Sequence, residues 1–229
     1  MTDALSRGAR YKTLLWDIDG TLIDTTHLVA EGLDHVYRTF LGRTLPMDEI
    51  RAIIGTPLAE QVRIFGDPRQ WGVAPEEMEA EFIRCWESRK HEERLIPEAI
   101  ATLIAGKQQG RGTALVTSKN HAEIRNTLPR MGIAECVDAV ITADDVKVPK
   151  PDPEGVGLAL TLLKSTPSET IFIGDTVHDM RAGRAAGVAR CAVTWGAAPR
   201  ARLLAEEPEL VCDDPADLAR LLGICRPGP

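Results

Sequence analysis

The chain contains no Cys-x-x-Cys pair, and its five cysteines (Cys85, Cys136, Cys191, Cys212 and Cys225) are odd in number and widely scattered. That pattern argues against a zinc ribbon and against a disulfide framework. Cys136, Cys191 and Cys212 sit among apolar neighbours and read as small buried side chains, a usage that suits a reducing, cytoplasmic setting. Basic residues are outnumbered: 27 Lys and Arg face 34 Asp and Glu, a net charge of -7. Bulk electrostatics therefore offers nucleic acid no hold, and an anionic substrate would have to be drawn by a local site. No apolar run approaches the length of a membrane span, and the opening MTDALSRGARYK lacks the apolar stretch of a secretory signal. Internal repeats and low-complexity segments are missing too. Lysine is absent from the whole interval between Lys12 and Lys90.

What is present is an ordinary globular composition, 44% hydrophobic over 229 residues, enough for one large domain or two small ones. Residues 1–10 are polar and unpatterned, a loose tail. YKTLLW (11–16) is an apolar run that stops abruptly at polar residues, the mark of a fully buried strand. The next strand of that quality is GTALVT (112–117). Between them the pattern is helical. Val29, Leu33, Val36, Tyr37 and Phe40 follow helical spacing, and Ile50, Ile53 and Ile54 suggest a second, short helix. Pro57 opens a third through Leu58, Val62 and Phe65, GDPRQWG (66–72) reads as a loop, and Pro75 opens a fourth through Met78, Phe82, Cys85 and Trp86. After Pro97, helices and strands alternate: helix 97–108, strand 113–117, helix 121–130, strand 137–141. A helix from Asp152 with Pro153 at its first position, strand 170–174, a helix ending at Gly187, strand 189–194, strand 210–212 and a terminal helix complete the order. The alternation predicts an α/β fold, a doubly wound parallel sheet over 11–23 and 97–229, interrupted by an α-helical insertion over 24–96.

In open parallel sheets ligands bind beyond the carboxyl ends of the strands, and those ends are where the polar residues collect. DIDGT (Asp17, Asp19, Gly20, Thr21) follows the first strand, and TSKN (Thr117 to Asn120) the second. Lys147 and Lys150 lie in the loop after the third strand, and Asp175 and Asp179 in GDTVHD follow the fourth. Singly, each has a plain reading as a turn, a helix cap or a solvated lysine. Jointly they place acids, hydroxyls and a cation on one edge of one sheet. Asp17 and Asp19 also pose an electrostatic question, because neighbouring carboxylates at a buried strand end repel each other and lose hydration. A metal ion, a lysine, or both would offset that cost.

WDIDGTLIDT, ALVTS, VPKPDP and FIGDTVHDMRAGRAAG resemble, in order, the four motifs of the haloacid dehalogenase-like superfamily of phosphohydrolases. IIGTPL, GVARCAVTWG and LVCDDPADLARLL are similar to its phosphoglycolate phosphatase-like branch. The resemblance runs from about Tyr11 to the end of the chain. It implies a Rossmann-like core whose helical insertion is a small cap over the site, with Gly20–Asp24 as the turn between them. It implies that Asp17 is the nucleophile forming an aspartyl-phosphate, and that Asp19 protonates the leaving oxygen and then activates water. Thr117 would hydrogen-bond the transferring phosphoryl group, Lys150 rather than Lys147 would bridge Asp17 and the phosphate, and Gly20, Thr21 and Ser118 would contact substrate. Mg²⁺ would be held by Asp17, the backbone carbonyl of Asp19 and Asp175, with Asp179 supporting the site from its margin.

The substrate implied is a small phosphorylated metabolite, with no nucleic acid or membrane partner and a monomer or homodimer as the working form. Within the superfamily, the presence of Asp19 speaks against a dehalogenase, and the lack of a cap lysine speaks against Schiff-base chemistry. A β-phosphoglucomutase-like mutase and a non-catalytic binding or regulatory protein are the alternatives. Two departures, Glu98 where the branch commonly has glycine after the proline and Trp16 in place of phenylalanine before the nucleophile, leave phosphoglycolate itself open. Seven arginines of the insertion (Arg38, Arg43, Arg51, Arg63, Arg69, Arg84 and Arg89) are candidates for a second anionic group of the substrate, as is His27; Trp71 and Trp86 read as packing residues.

Overall fold

A computed structural model describes residues 11–225 apart from Leu45 and Phe65; the tail expected over 1–10 lies outside the described residues. Six strands form one parallel sheet: β1 (Thr13–Trp16), β4 (Gly112–Val116), β5 (Ala139–Ile141), β6 (Thr170–Gly174), β7 (Ala189–Val193) and β8 (Leu210–Cys212). Their order across the sheet is β5-β4-β1-β6-β7-β8, and every pairing is parallel. The chain thus builds outward from β1 to one edge, returns past it, and builds to the other edge. The point where the strand order reverses lies at β1, the position at which doubly wound sheets carry their ligand crevice.

The two faces of the sheet are sorted by the alternation of the strands. Leu14 and Trp16 share one apolar cluster with Leu115, Ile171, Ile173 and Val193, covered by α5 (Pro97–Gln108), α6 (His121–Met131) and α10 (Leu218–Leu221). Leu15, Ala114, Val116 and Phe172 share the opposite cluster with α7 (Glu154–Leu163) and α8 (Val177–Ala185). Burial on both faces is why these strands read as continuous apolar runs. Pro153 caps α7 from outside rather than opening it, and β1 begins at Thr13, two residues later than the apolar run. Cys191 and Cys212 are fully buried as expected, whereas Cys136 is half-buried.

Between β1 and β4 lies a helical layer: α1 (Thr26–Leu41), α2 (Met47–Ile53), α3 (Leu58–Gln61) and α4 (Pro75–Arg89). It has its own apolar cluster, built on Leu33, Val36, Tyr37, Ile50, Val62, Met78 and Phe82. α3 is a single turn that stops at Gln61, shorter than the Pro57–Phe65 pattern implied; Phe65 lies outside the described residues. The segment read as a loop over 66–72 holds a 3-10 turn at Pro68–Trp71, capped by the Asp67 carboxylate accepting from Arg69 N–H. An element with no signal in the sequence is the antiparallel ribbon of β2 (Ile23–Asp24) and β3 (Arg94–Leu95). Two-residue strands are too short to show a period. The ribbon sets the two chain crossings between sheet and helical layer side by side. No helix among the described residues is long and apolar enough to cross a membrane.

Leu14 is fully buried at the centre of the sheet, whereas Leu162 on α7 is 63% exposed. Leu14→Ala is expected to cost about 2–5 kcal/mol and Leu162→Ala no more than about 0.5 kcal/mol, read from urea unfolding midpoints. Equal effects would mean that β1 is not at the core.

Candidate active site

The ends of β1, β4 and β6 bring most of the expected residues together. Asp17 N–H donates to the Ile173 carbonyl at 2.9 Å, and Thr117 N–H to the Ile141 carbonyl at 2.9 Å, so both residues extend their strands by one position. Lys150 reaches in from the loop after β5 and is buried, whereas Lys147 is exposed, its N–H donating to Glu154 Oε2 at 2.9 Å. Lys150 Nζ donates to Asp17 Oδ1 at 2.6 Å and to Asp179 Oδ1 at 2.7 Å. Asp175 follows β6, and Asp179 occupies the first turn of α8. There its Oδ2 closes a capping box with Thr176 N–H at 3.0 Å and Thr176 Oγ1 at 2.6 Å. Thr21 Oγ1 donates to Asp175 Oδ1 at 3.1 Å, and Ala197 N–H to Asp175 Oδ2 at 2.7 Å. Gly20 adopts φ +81°, and a Cβ there would fall 2.2 Å from Asp175 Oδ2. The glycine therefore lets the chain turn directly against the acid.

Oxygens of Asp17, Asp175 and Asp179 lie within 4.8 Å of one another. All three acids are buried, and among the described residues Lys150 is the one cation bonded to any of them. Burial pushes the Asp17 carboxyl well above the usual range; Asp179 and Asp175 add to the rise, and Lys150 opposes it. The Asp175 carboxyl is pushed up to about 7, by burial first and then by Asp179, against the pull of Ala197 N–H and Thr21. Burial opposes the charge on Lys150, but Asp17 and Asp179 outweigh it and hold the ammonium protonated. Three acids around one lysine leave negative charge that the protein does not balance. An all-oxygen donor set of that kind fits a hard divalent cation.

Asp19 is separated from this cluster. Its Oδ1 accepts from Thr25 Oγ1 at 2.9 Å, and its Oδ2 pairs with Lys119 Nζ at 2.9 Å. Sequence reasoning passed over Lys119, although it stands in the TSKN segment at the end of β4. Its side chain is only 7% exposed. Burial works against its charge, while Asp19, Glu123 and Glu93 raise its pKa. Its Nζ also lies 5.1 Å from the ring centroid of Trp86 on α4, within cation–π range. Lys119 therefore ties Asp19 to the helical layer. Nothing in a lone strand-end lysine signals that; the signal would have been the need for a cation beside each of two acids.

The helical layer meets the sheet edge at Gly55. Ser118 Oγ donates to the Gly55 carbonyl at 2.8 Å, so this expected substrate contact is engaged by the helical layer instead. Gly55 has φ +104°, and a Cβ there would lie 2.8 Å from Thr176 Cγ2. Of the seven arginines offered for a second anion, Arg38, Arg63, Arg69, Arg84 and Arg89 pair with acids of their own layer. His27 lies 3.8 Å from Asp24.

The raised acids have a consequence for stability. A carboxyl raised on folding keeps a proton that the unfolded chain releases. Its contribution is therefore complete near pH 3.8 and is lost as pH rises towards about 7 for Asp175. With chelator present, the melting midpoint is expected to fall between pH 5 and 7, and a divalent cation at pH 7 to restore it. A chelated midpoint that rises over that range would remove the argument for an uncompensated acid cluster.

Comparison with known proteins bears on the family and the fold. A profile described as haloacid dehalogenase-like hydrolase matches residues 14–193. The protein named Pyrophosphatase PpaX in Bacillus velezensis is 34% identical over 220 residues, 94% of this chain and 98% of that one. A solved haloacid dehalogenase-like hydrolase of Bacteroides fragilis superposes with a TM-score of 0.78 at 26% identity, covering 91% of this chain and 99% of that one. A β-phosphoglucomutase of Clostridium difficile shares the fold, with a TM-score of 0.77 at 20% identity over 91% of this chain and 93% of that one. With the doubly wound sheet, the four strand-end motifs and the buried acid–lysine cluster all in place, this chain is an enzyme of the haloacid dehalogenase-like hydrolase family.

Proposed function

We propose that the protein is a Mg²⁺-dependent phosphatase that cleaves a small phosphorylated compound through an aspartyl-phosphate on Asp17, with inorganic diphosphate as the leading substrate. The observation that carries this reading is the Lys150 ammonium shared between Asp17 and Asp179 beside Asp175. An attacking carboxylate meets repulsion from an anionic phosphate, and a buried lysine at 2.6 Å partly cancels it. Asp17, Asp175, the Asp19 carbonyl and Asp179 would hold Mg²⁺, which when bound supplies the remaining positive charge for the acids and the phosphate.

The chain's own residues then have separate tasks. An Asp17 carboxylate oxygen forms a bond to phosphorus as the bond to the leaving oxygen breaks, dividing one hard displacement into two easier ones. Asp19 gives a proton to that leaving oxygen, and then takes one from the water that cleaves the acyl-phosphate and releases inorganic phosphate and free Asp17. Lys119 and Thr25 hold both oxygens of Asp19 and so fix where its proton is delivered. Thr117, buried at the end of β4, would steady the phosphoryl oxygens, with Gly20 and Thr21 shaping the floor beneath them. The helical layer acts as a cap that Ser118 and Gly55 join to the sheet edge, limiting solvent around the reaction.

Diphosphate is preferred to 2-phosphoglycolate because the relatives named pyrophosphatase are 30–34% identical over almost the whole chain. The phosphoglycolate phosphatase structures, at 22% or less, share the fold alone. A soluble cytoplasmic location accords with the reading.

The test is steady-state hydrolysis of diphosphate, 2-phosphoglycolate, sugar phosphates and p-nitrophenyl phosphate, with Mg²⁺ and with chelator. Expected are Mg²⁺-dependent turnover with the highest kcat/KM on diphosphate, and a fall of about 10⁴-fold or more in kcat for Asp17→Asn. Interconversion of glucose 1- and 6-phosphates would replace the reading with a mutase. Absence of turnover on every ester would leave the non-catalytic alternative. Lys119→Met is expected to lower kcat about 10²-fold, within the range of a misplaced acid/base, with KM changed little. An unchanged kcat would show that Asp19 needs no such support.

A further inference from the structure

The segment 195–198, just after β7, folds around one acid while its side chains reach into three separate apolar clusters. The chain passes Asp175 so closely at Gly196 that a Cβ there would lie 2.1 Å from Asp175 Oδ2. Ala197 N–H donates to that same oxygen at 2.7 Å, and Ala198 N–H to the Asp175 carbonyl at 3.3 Å. Trp195 Nε1 donates to the Thr21 carbonyl at 3.3 Å, and the Thr21 hydroxyl holds the other carboxylate oxygen at 3.1 Å. Both oxygens of Asp175 thus have a donor, and one of those donors belongs to this loop.

The side chains go elsewhere. Trp195 packs against the cluster between the sheet and α5, α6 and α10. Ala198 packs against Met180, Ala192 and Leu203, the last on α9 (Arg200–Leu204). Ala197, 3% exposed, belongs to the apolar cluster of the helical layer, whose other members all lie between residues 29 and 86. It is the one described residue of the sheet domain in that cluster. The edge of the layer closes on the neighbouring backbone as well. Ile54 lines a cavity together with Thr176 and Ala198, and Gly55 passes so close to Thr176 that a Cβ would lie 2.8 Å from its Cγ2. The layer therefore presses both on the residue that follows Asp175 and on the loop that bonds its carboxylate.

We propose that Ala197 is a positioning residue that couples the seating of the helical layer to the carboxylate of Asp175, and through it to the binding of a divalent cation. The inference rests on the reading that Asp175 helps to hold Mg²⁺. Donors to a ligating carboxylate fix its rotation, and disturbing them weakens metal binding. With the layer seated, the Ala197 methyl is buried and its N–H is held on Asp175 Oδ2. Lifting the layer exposes the methyl and removes what keeps the loop in that place. By linkage the effect runs both ways: a cation that favours the ordered carboxylate favours the seated layer by the same factor. Burial of one methyl group corresponds to about a four-fold factor in an equilibrium, which sets the scale of the coupling.

The experiment is calorimetric titration of the full chain with Mg²⁺ alone, at fixed pH and without phosphate compounds, so that no turnover enters the measurement. Ala197→Gly keeps the N–H and removes the methyl. Ile54→Ala shortens an apolar side chain of the layer that carries no metal-binding atom. Expected is a rise of about three- to ten-fold in the Mg²⁺ Kd for each, with the double variant within about two-fold of the weaker-binding single one. Melting midpoints verify that each variant folds, and Ile54→Val, with a smaller expected rise, stands in if Ile54→Ala does not. A Kd unchanged by the substitution in the layer, or two effects that simply multiply, would overturn the proposal, because the loop would then hold Asp175 without help from the layer. Absence of Mg²⁺ binding to the unaltered chain would instead overturn the reading of Asp175 as a ligand, and the coupling with it.

Discussion

Everything at this sheet edge depends on one buried ammonium. Lys150 stands between Asp17 and Asp179 at hydrogen-bond distance, and without it three acids would share a desolvated space with no positive charge. Burying such groups is tolerable only when each is paired and hydrogen-bonded. The surroundings supply those bonds one by one: a capping box for Asp179, the Thr21 hydroxyl and Ala197 N–H for Asp175. The loop conformations that deliver these donors, including the left-handed turn at Gly20, follow from that requirement. The excess of acid over base that remains is what makes the cluster suited to a cation and to phosphate chemistry rather than to structure alone.

A second pairing repeats the logic on the other acid. Asp19 and Lys119 form an ion pair in which the lysine is buried and the acid is partly open to the space beneath the helical layer. The two acids of the DID segment therefore have separate cations, separate hydrogen-bond partners and separate exposure. Their proximity along the chain ceases to be a liability because their environments have been made different, the usual route to two carboxylates with two roles.

The sheet was largely legible in the sequence because its strands are buried on both faces and its helices carry clear apolar periodicity, so that β4, β6, β7 and β8 fall within a residue of the expected bounds. Asp17, Asp175 and Asp179, with a lysine at either 147 or 150, were legible as a set because strand ends in a parallel sheet share an edge. The choice of Lys150 came from the resemblance of VPKPDP to the family motif. What stayed hidden was settled by distance. Ser118 was read as a substrate contact from its place in the motif, yet its hydroxyl is engaged by Gly55, whose approach no local pattern announces. Lys119 acquires its importance from Asp19 and Trp86, residues remote from it in the chain. The β2–β3 ribbon is too short for periodicity and arises from where the helical layer enters and leaves.

The assembly of Asp17 and Lys150 across 133 residues bears on when the cluster can form during synthesis. A nascent chain that has emerged only through the helical layer carries DIDGT but neither the lysine nor the second pair of acids. Even with β4 and β5 in place, β1 lacks its neighbour on the other side, and the α8 turn does not yet exist. The acid–lysine cluster is therefore complete only once β6 is docked beside β1. Before that docking the acids of the first segment have neither the lysine nor the partner acids beside them, and their environment is that of solvated side chains.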